Sequence, residues 1–253
     1  MTNRIVILDE LRGIAIILMI IYHTLYSLEF IFNYDLGFQL LSNPLTIALQ
    51  LLIGCLFVFI SGISSGLSSS VFYNGLKTGL VALVITLVTG LIIPTEKIVF
   101  GVLHFLSLMM ILTGLYKIIF KQKNDIKSKS LKNDKDILSI FLLLISAILF
   151  VACYNISSVI KVPQGNLFTS IMGFPSKDFF SSDYYPVIPW GFLFLSGLFA
   201  SKVVKKSQGL KKIKIMKNSG ALATLGRNSL IIYVVHQPII IGMIFLMNKI
   251  FNL

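Results

Sequence analysis

The run LRGIAIILMIIYHTLYSLEFIF, Leu11–Phe32, decides the fold. It is apolar for the roughly 20 residues that a helix rising 1.5 Å per residue needs to cross a bilayer core. Six further apolar blocks follow it: Leu45–Leu67, Leu76–Ile93, Val102–Phe120, Ile137–Ile160, Val187–Val204 and Leu230–Phe251. In hydrocarbon no water satisfies backbone N–H and C=O groups, and a helix pairs all of them within its own segment. Each block therefore reads as helix even where Val and Ile would favour strand in water. The sequence predicts an all-α fold, a polytopic transmembrane helical bundle of about seven spans forming a single domain over residues 1–253. The first run is longer than a signal-peptide core and has no small-x-small cleavage site, so it is expected to stay as a span. The expected location is a plasma membrane, crossed many times, with the lipid bilayer as partner.

Composition agrees: 56% of residues are hydrophobic and 13% charged, against about 45–50% and 25% in soluble domains. The net charge of +12 raises the question of nucleic acid, but position answers it. Lys117, Lys121, Lys123, Lys127, Lys129, Lys132 and Lys135 lie between spans four and five. Lys202, Lys205, Lys206, Lys211, Lys212, Lys214, Lys217 and Arg227 lie between six and seven. The alternate connections carry no Lys or Arg, or only Lys97, or Lys161 and Lys177. Positive connections stay in the cytoplasm, so the pattern predicts the N-terminus inside and the C-terminus outside, and no nucleic-acid partner. Cys55 and Cys153 fall within apolar blocks without metal-ligand spacing and read as small core residues. Neither a disulfide nor a metal is expected.

Ionisable residues inside a span are costly and usually face the bundle interior. Arg12 and His23 are eleven positions apart, close to three helical turns, so Arg12, Ile16, Met19 and His23 form one stripe. The rise separates the pair by about 16 Å along the axis. Arginine can bind a phosphate through two parallel hydrogen bonds, and histidine can take a proton from an amine or hydroxyl attacking a carbonyl. Spacing alone leaves a second reading open, in which Arg12 reaches to lipid phosphate and His23 only packs. The last span carries Ser229, Tyr233 and His236 on another polar face, with Gln237 and Pro238 directly after; this face lines a cavity or bonds a neighbouring helix. Arg227, just after Gly226, is either a phosphate ligand or a positive-inside anchor. His104 opens the fourth span, and Asp183 stands just outside the sixth, where an acid can orient a histidine, bind acceptor hydroxyls or simply be solvated. Gly62 and Gly66 have the spacing of a close helix contact. The connection from Lys161 to Pro186 is either substrate-facing or an interfacial helix.

The stretch Leu8–His23, LDELRGIAIILMIIYH, resembles the heparan-alpha-glucosaminide N-acetyltransferase catalytic-domain family. Its Arg-then-ten-then-His spacing is also similar to the wider membrane acyltransferase superfamily. Phe59–Ser65, Gly101–Leu106, Asp183–Trp190 and Leu225–Pro238 resemble further family stretches, in order along nearly the whole chain. The resemblance implies acetyl-CoA as donor, entering from the cytoplasm, and a sugar or glycan amine or hydroxyl as acceptor on the outer side. Arg12 and His23 carry over as the superfamily's paired motif; His104, Asp183, Trp190, Arg227, Tyr233 and His236 carry over as characteristic positions. The implied site has His23 as general base with Asp183 and His236, Arg12 and Arg227 on the donor, and His104, Trp190, Tyr233 and Gln237 on the acceptor. A covalent acetyl-histidine is the alternative route. The chain departs from the family in having about seven spans where larger relatives have ten or more. It also has His23 where the lysosomal branch carries Asn, so a heparan substrate does not carry over to this bacterial-looking chain. A different class of function fits the same residues: a proton-coupled transporter relaying protons through His23 and His236.

Overall fold

The computed structural model describes residues 5–35, 43–124, 132–157, 165–206 and 220–251. Most of these residues are helical, and none of them lies in a strand. The helices are α1 (Val6–Tyr26), continued by a π-helical turn (Ser27–Ile31), α2 (Pro44–Leu67), α3 (Val71–Ile92), α4 (Val102–Asn124), α5 (Lys132–Ser157), α6 (Leu167–Met172), α7 (Val187–Lys206), α8 (Ala221–Arg227) and α9 (Ser229–Phe251). Among the described residues seven helices are long and apolar enough to cross a membrane, and they coincide in order with the seven predicted blocks. The third starts five residues early because Val71, Gly75, Thr78 and Ala82 form a buried stripe at helical spacing. Asn74, exposed and just before the predicted start at Leu76, breaks the apolar run.

The chain divides into two compact units. Unit 1 comprises residues 1–57 and 208–253, and so holds α1, the first half of α2, α8 and α9. Its core is Ile16, Met19 and Tyr22 of α1 with Ile53 of α2, and Ile232 and Tyr233 of α9 pack against it. α8 lies on α1 at backbone distance. A Cβ on Gly13 would stand 2.1 Å from the Leu222 carbonyl oxygen, and one on Gly226 would stand 1.7 Å from that of Asp9. Toward the far end of α1, Ser27 is fully buried, and the π turn closes through Phe32 N–H on the Ser27 carbonyl at 3.0 Å. The Tyr34 hydroxyl then donates to Asn248 Oδ1 at 2.5 Å.

Unit 2 comprises residues 58–207. α3 packs on α4 and α5 on α7. The second half of α2 meets α7 through the predicted small-residue contact: a Cβ on Gly62 would lie 2.2 Å from the Phe194 carbonyl oxygen, and one on Gly197 2.2 Å from that of Phe59. Lys117 of α4 donates to the carbonyls of Ser65, Gly66 and Ser68 at 2.7, 3.0 and 2.9 Å. One ammonium thus satisfies carbonyls that the C-terminus of α2 leaves without helical partners. The connection after α5 contains the short helix α6. Asn166 and Thr169 form a reciprocal cap at its start, and Gly173, at φ 116°, ends it. Leu167 and Phe168 of this helix are exposed. Residues 158–164 of this connection and 207–219 of the Lys-rich one lie outside the described residues.

Candidate functional site

Arg12 and His23 both lie on α1, on the predicted stripe, and Ile16 and Met19 between them are buried. Arg12 Nη1 donates to Asp9 Oδ1 at 3.3 Å, one turn earlier. Asp9 is itself buried. Because α8 touches the backbone at Asp9 and Gly13, its last residue, Arg227, is brought to the same end of unit 1 as Arg12. Arg227 is exposed, with Nη2 donating to Thr224 Oγ1 at 3.0 Å. This end therefore carries two guanidinium groups and one buried carboxylate. Such a set can take an anion while Asp9 holds one of the two cations in place.

Further along α1, the His23 ring meets the His236 ring of α9 edge-on, with centroids 4.9 Å apart. Tyr233 adds a third ring, 5.5 Å from His236. His236 is buried, and its Nδ1 lies 2.6 Å from the Tyr233 carbonyl oxygen. A carbonyl only accepts, so Nδ1 carries the proton. Nε2 is buried with no partner. Gln237, the next residue, donates from Nε2 to Ser27 Oγ at 3.1 Å, while its Oε1 is also buried and unpartnered. His23 and Ser27 are one turn apart on α1, so His236 and Gln237 both address one stripe of that helix. Two adjacent buried acceptors without donors make up a site that can receive N–H or O–H groups.

The other predicted residues lie in unit 2. Gly101 N–H donates to His104 Nδ1 at 3.3 Å, and His104 Nε2 stands 3.0 Å from Thr86 Oγ1. Thr86 in turn donates to the Ile98 carbonyl at 2.7 Å. The neutral His104 ring thus donates from Nε2 and accepts at Nδ1, with both nitrogens engaged. Asp183 Oδ2 accepts from Val102 N–H at 3.0 Å and so caps the start of α4. Neighbouring bonds stitch the same segment to the α3–α4 connection: Tyr185 N–H to the Phe100 carbonyl at 3.1 Å and Ser182 Oγ to Glu96 Oε2 at 2.6 Å. Tyr184 donates its hydroxyl to the Ser170 carbonyl, and burial pushes this phenol up to about 12. Trp190 is buried in a ring cluster with Tyr185, Phe150 and Tyr154 at 4.6, 5.4 and 6.1 Å.

Asp9 and Ser27 are the residues that sequence reasoning passed over. Each had a legible signal, since Asp9 precedes Arg12 by three positions and Ser27 follows His23 by four, the spacings at which helical side chains meet. No group of three or more His, Cys, Asp or Glu able to hold a metal occurs among the described residues.

No curated protein and no solved structure matches the chain. A family model does: the one described as heparan-alpha-glucosaminide N-acetyltransferase, catalytic, matches residues 4–238. That span takes in Arg12, His23, His104, Asp183, Trp190, Arg227, Tyr233, His236 and Gln237. This multi-pass chain therefore belongs to the heparan-alpha-glucosaminide N-acetyltransferase catalytic family.

Proposed function

We propose that this protein moves an acetyl group from cytoplasmic acetyl-CoA to an amine or hydroxyl of a sugar or glycan outside the cytoplasm, at a plasma membrane and with its N-terminus inside. The observation that carries the reading is the contact between His23 and His236, on the helix that also bears Arg12 about 16 Å away along its axis. Arg12 and Arg227 bind the donor's phosphates at the inner rim, and the thioester reaches the histidines along α1. His23 takes a proton from the acceptor as its nitrogen or oxygen bonds to the acetyl carbon. The carbon–sulfur bond breaks, and His23 returns the proton to the leaving thiolate. Tyr233 and Gln237 orient the acceptor from α9, and His236 stands beside His23 at the reacting centre. In unit 2, His104 and Asp183 hold the α3–α4 connection in shape and Trp190 braces it, and we assign them to the acceptor-facing surface.

Membranes carrying the protein, given radiolabelled acetyl-CoA and a panel of amino sugars, test this. Wild type transfers label and His23→Ala does not; equal transfer by both removes His23 from the chemistry. The same pair of rings supports a second reading, a proton-coupled transporter, because two imidazoles in contact can pass a proton. That reading predicts pH-driven flux without acetyl-CoA, and its failure leaves the transferase reading in place.

A further inference from the structure

The two histidines of unit 1 are not equivalent. His236 is fixed at one nitrogen: Nδ1–H donates to the carbonyl of Tyr233, three residues back on its own helix. In the neutral ring this leaves the lone pair on Nε2, across the ring and turned away from α9. That atom is buried and unpartnered. His23 is fixed at neither nitrogen, since no hydrogen bond from a described residue reaches its ring, and its cross-helix neighbour is His236. A buried acceptor left without a donor costs about 1–3 kcal/mol, and His23 is the side chain placed to supply one.

We propose that His236 is the positioning residue for His23: its Nε2 accepts a hydrogen bond from one ring nitrogen of His23, which leaves the other nitrogen as the base. The proposal rests on the reading of His23 as the group that takes the acceptor's proton. Proton accounting is unchanged by it. The proton that leaves the acceptor resides on His23 until the carbon–sulfur bond breaks, and then goes to the thiolate. His236 loses and gains none. What it supplies is orientation, together with an acceptor for the second N–H of the imidazolium that forms in between. Gln237, bonded to Ser27 one turn beyond His23, sets the register of α9 against α1 that keeps the two rings opposed.

Side-chain length gives the test. In His236→Gln the amide carbonyl reaches about as far as Nε2 and replaces the lost acceptor. In His236→Asn the shorter amide reaches only as far as Nδ1, so it can keep the bond to the Tyr233 carbonyl and offers His23 nothing. With glucosamine as the acceptor probe, kcat of His236→Asn is expected to fall about 100-fold, the scale of a misplaced reacting group. KM for acetyl-CoA should stay at the wild-type value, and His236→Gln should recover most of kcat. Elution of each variant as a single peak in detergent shows that it is folded. Two folded variants of equal kcat, or a loss that appears in KM instead, would overturn the proposal. A second measurement is independent of turnover. The chain has 3 histidines, so nitrogen-15 spectra of histidine-labelled protein can be assigned by single replacements. His236 is expected in the Nδ1–H form, and an Nε2–H form overturns the proposal even if transfer is normal. Absence of transfer by wild type to every acceptor sinks the acetyltransferase reading itself, an outcome distinct from either of these.

Discussion

Replacing Gly226 by Ala tests whether the backbone contact between α8 and α1 sets the guanidinium pair at the end of unit 1 proposed to bind the donor. The added Cβ would lie 1.7 Å from the Asp9 carbonyl oxygen, 2.6 Å from its carbon and 3.0 Å from the Gly13 nitrogen. All three are backbone atoms of one helix, so no side-chain rotation relieves the clash. Carbon and oxygen settle at roughly 3.3 Å or more, so α8 must withdraw from α1 by roughly 1.6 Å. Overpacking of this kind costs about 1–3 kcal/mol. It also carries Arg227, the next residue, away from Arg12, which sits between the two contacted positions. The histidine pair lies some three turns further along α1 and is held from the far end by the Gln237–Ser27 and Tyr34–Asn248 bonds. The expected result is a KM for acetyl-CoA raised about tenfold or more with kcat nearly kept, since a misplacement near 1 Å can cost up to about 100-fold. The assay is label transfer over a range of acetyl-CoA concentrations, paired with thermal unfolding in detergent. Gly242→Ala is the control, because a Cβ there meets nothing within 4 Å and the exchange favours helix. If Gly226→Ala melts with the control and keeps the wild-type KM, the contact does not set the guanidinium pair.

Four further outcomes are expected. Asp183→Asn keeps an N-cap acceptor at Val102 and should unfold near the wild-type temperature, whereas Asp183→Ala should lose about 0.5–2 kcal/mol; loss of activity by Asp183→Asn alone would give the charge a direct part in the reaction. Lys117→Met leaves the Ser65, Gly66 and Ser68 carbonyls without their donor and should lower stability by about 1–3 kcal/mol in detergent unfolding, with KM unchanged. Tyr184 titrates at about 12 in the folded chain, against an ordinary 10.0, so its contribution is intact below pH 10 and is lost as pH rises through 12. Tyr184→Phe should flatten the stability profile in that window, and an unaltered slope would refute the assignment. Nitrogen-15 spectra should find His104 as the Nε2–H form, opposite to His236, because Gly101 N–H occupies its Nδ1.

The spans were legible because the bilayer enforces them: an apolar block near 20 residues long has no open alternative to helix, and periodicity gave the Arg12–His23 face. What escaped was whatever depends on a neighbour. The start of α3 is not legible in hydropathy because burial of Val71 outweighs the polarity of Asn74. α8 was missed because ALATLGR is too short and too small-sided to register as a span. Its place is set by glycines at positions 13 and 226, whose meaning appears only once two backbones touch. The partners of His104 and Asp183 come from Thr86, Gly101 and Val102, on segments that sequence spacing does not connect to Asp183. The tautomer of His236 turns on a carbonyl three residues back and on a ring 213 positions away in the chain.

The attachments along α1 explain how two histidines on different helices are held edge-on. At the end that carries Arg12 and Arg227, α8 is clamped at backbone distance by glycine. In the middle Ile16, Met19 and Tyr22 pack with Ile232 and Tyr233, and at the far end the Gln237–Ser27 and Tyr34–Asn248 bonds fix the register of α9. Two helices tied at both ends and packed between cannot slide by a residue without breaking all three. The gap between the rings is therefore set by the frame, which keeps His236 Nε2 beside the His23 ring, so that a turn of the His23 side chain rather than a slide of either helix makes the proposed hydrogen bond. In the proposed reaction a base held this way keeps its partner close and its second nitrogen open, the arrangement that a proton-taking group in a low-dielectric span requires.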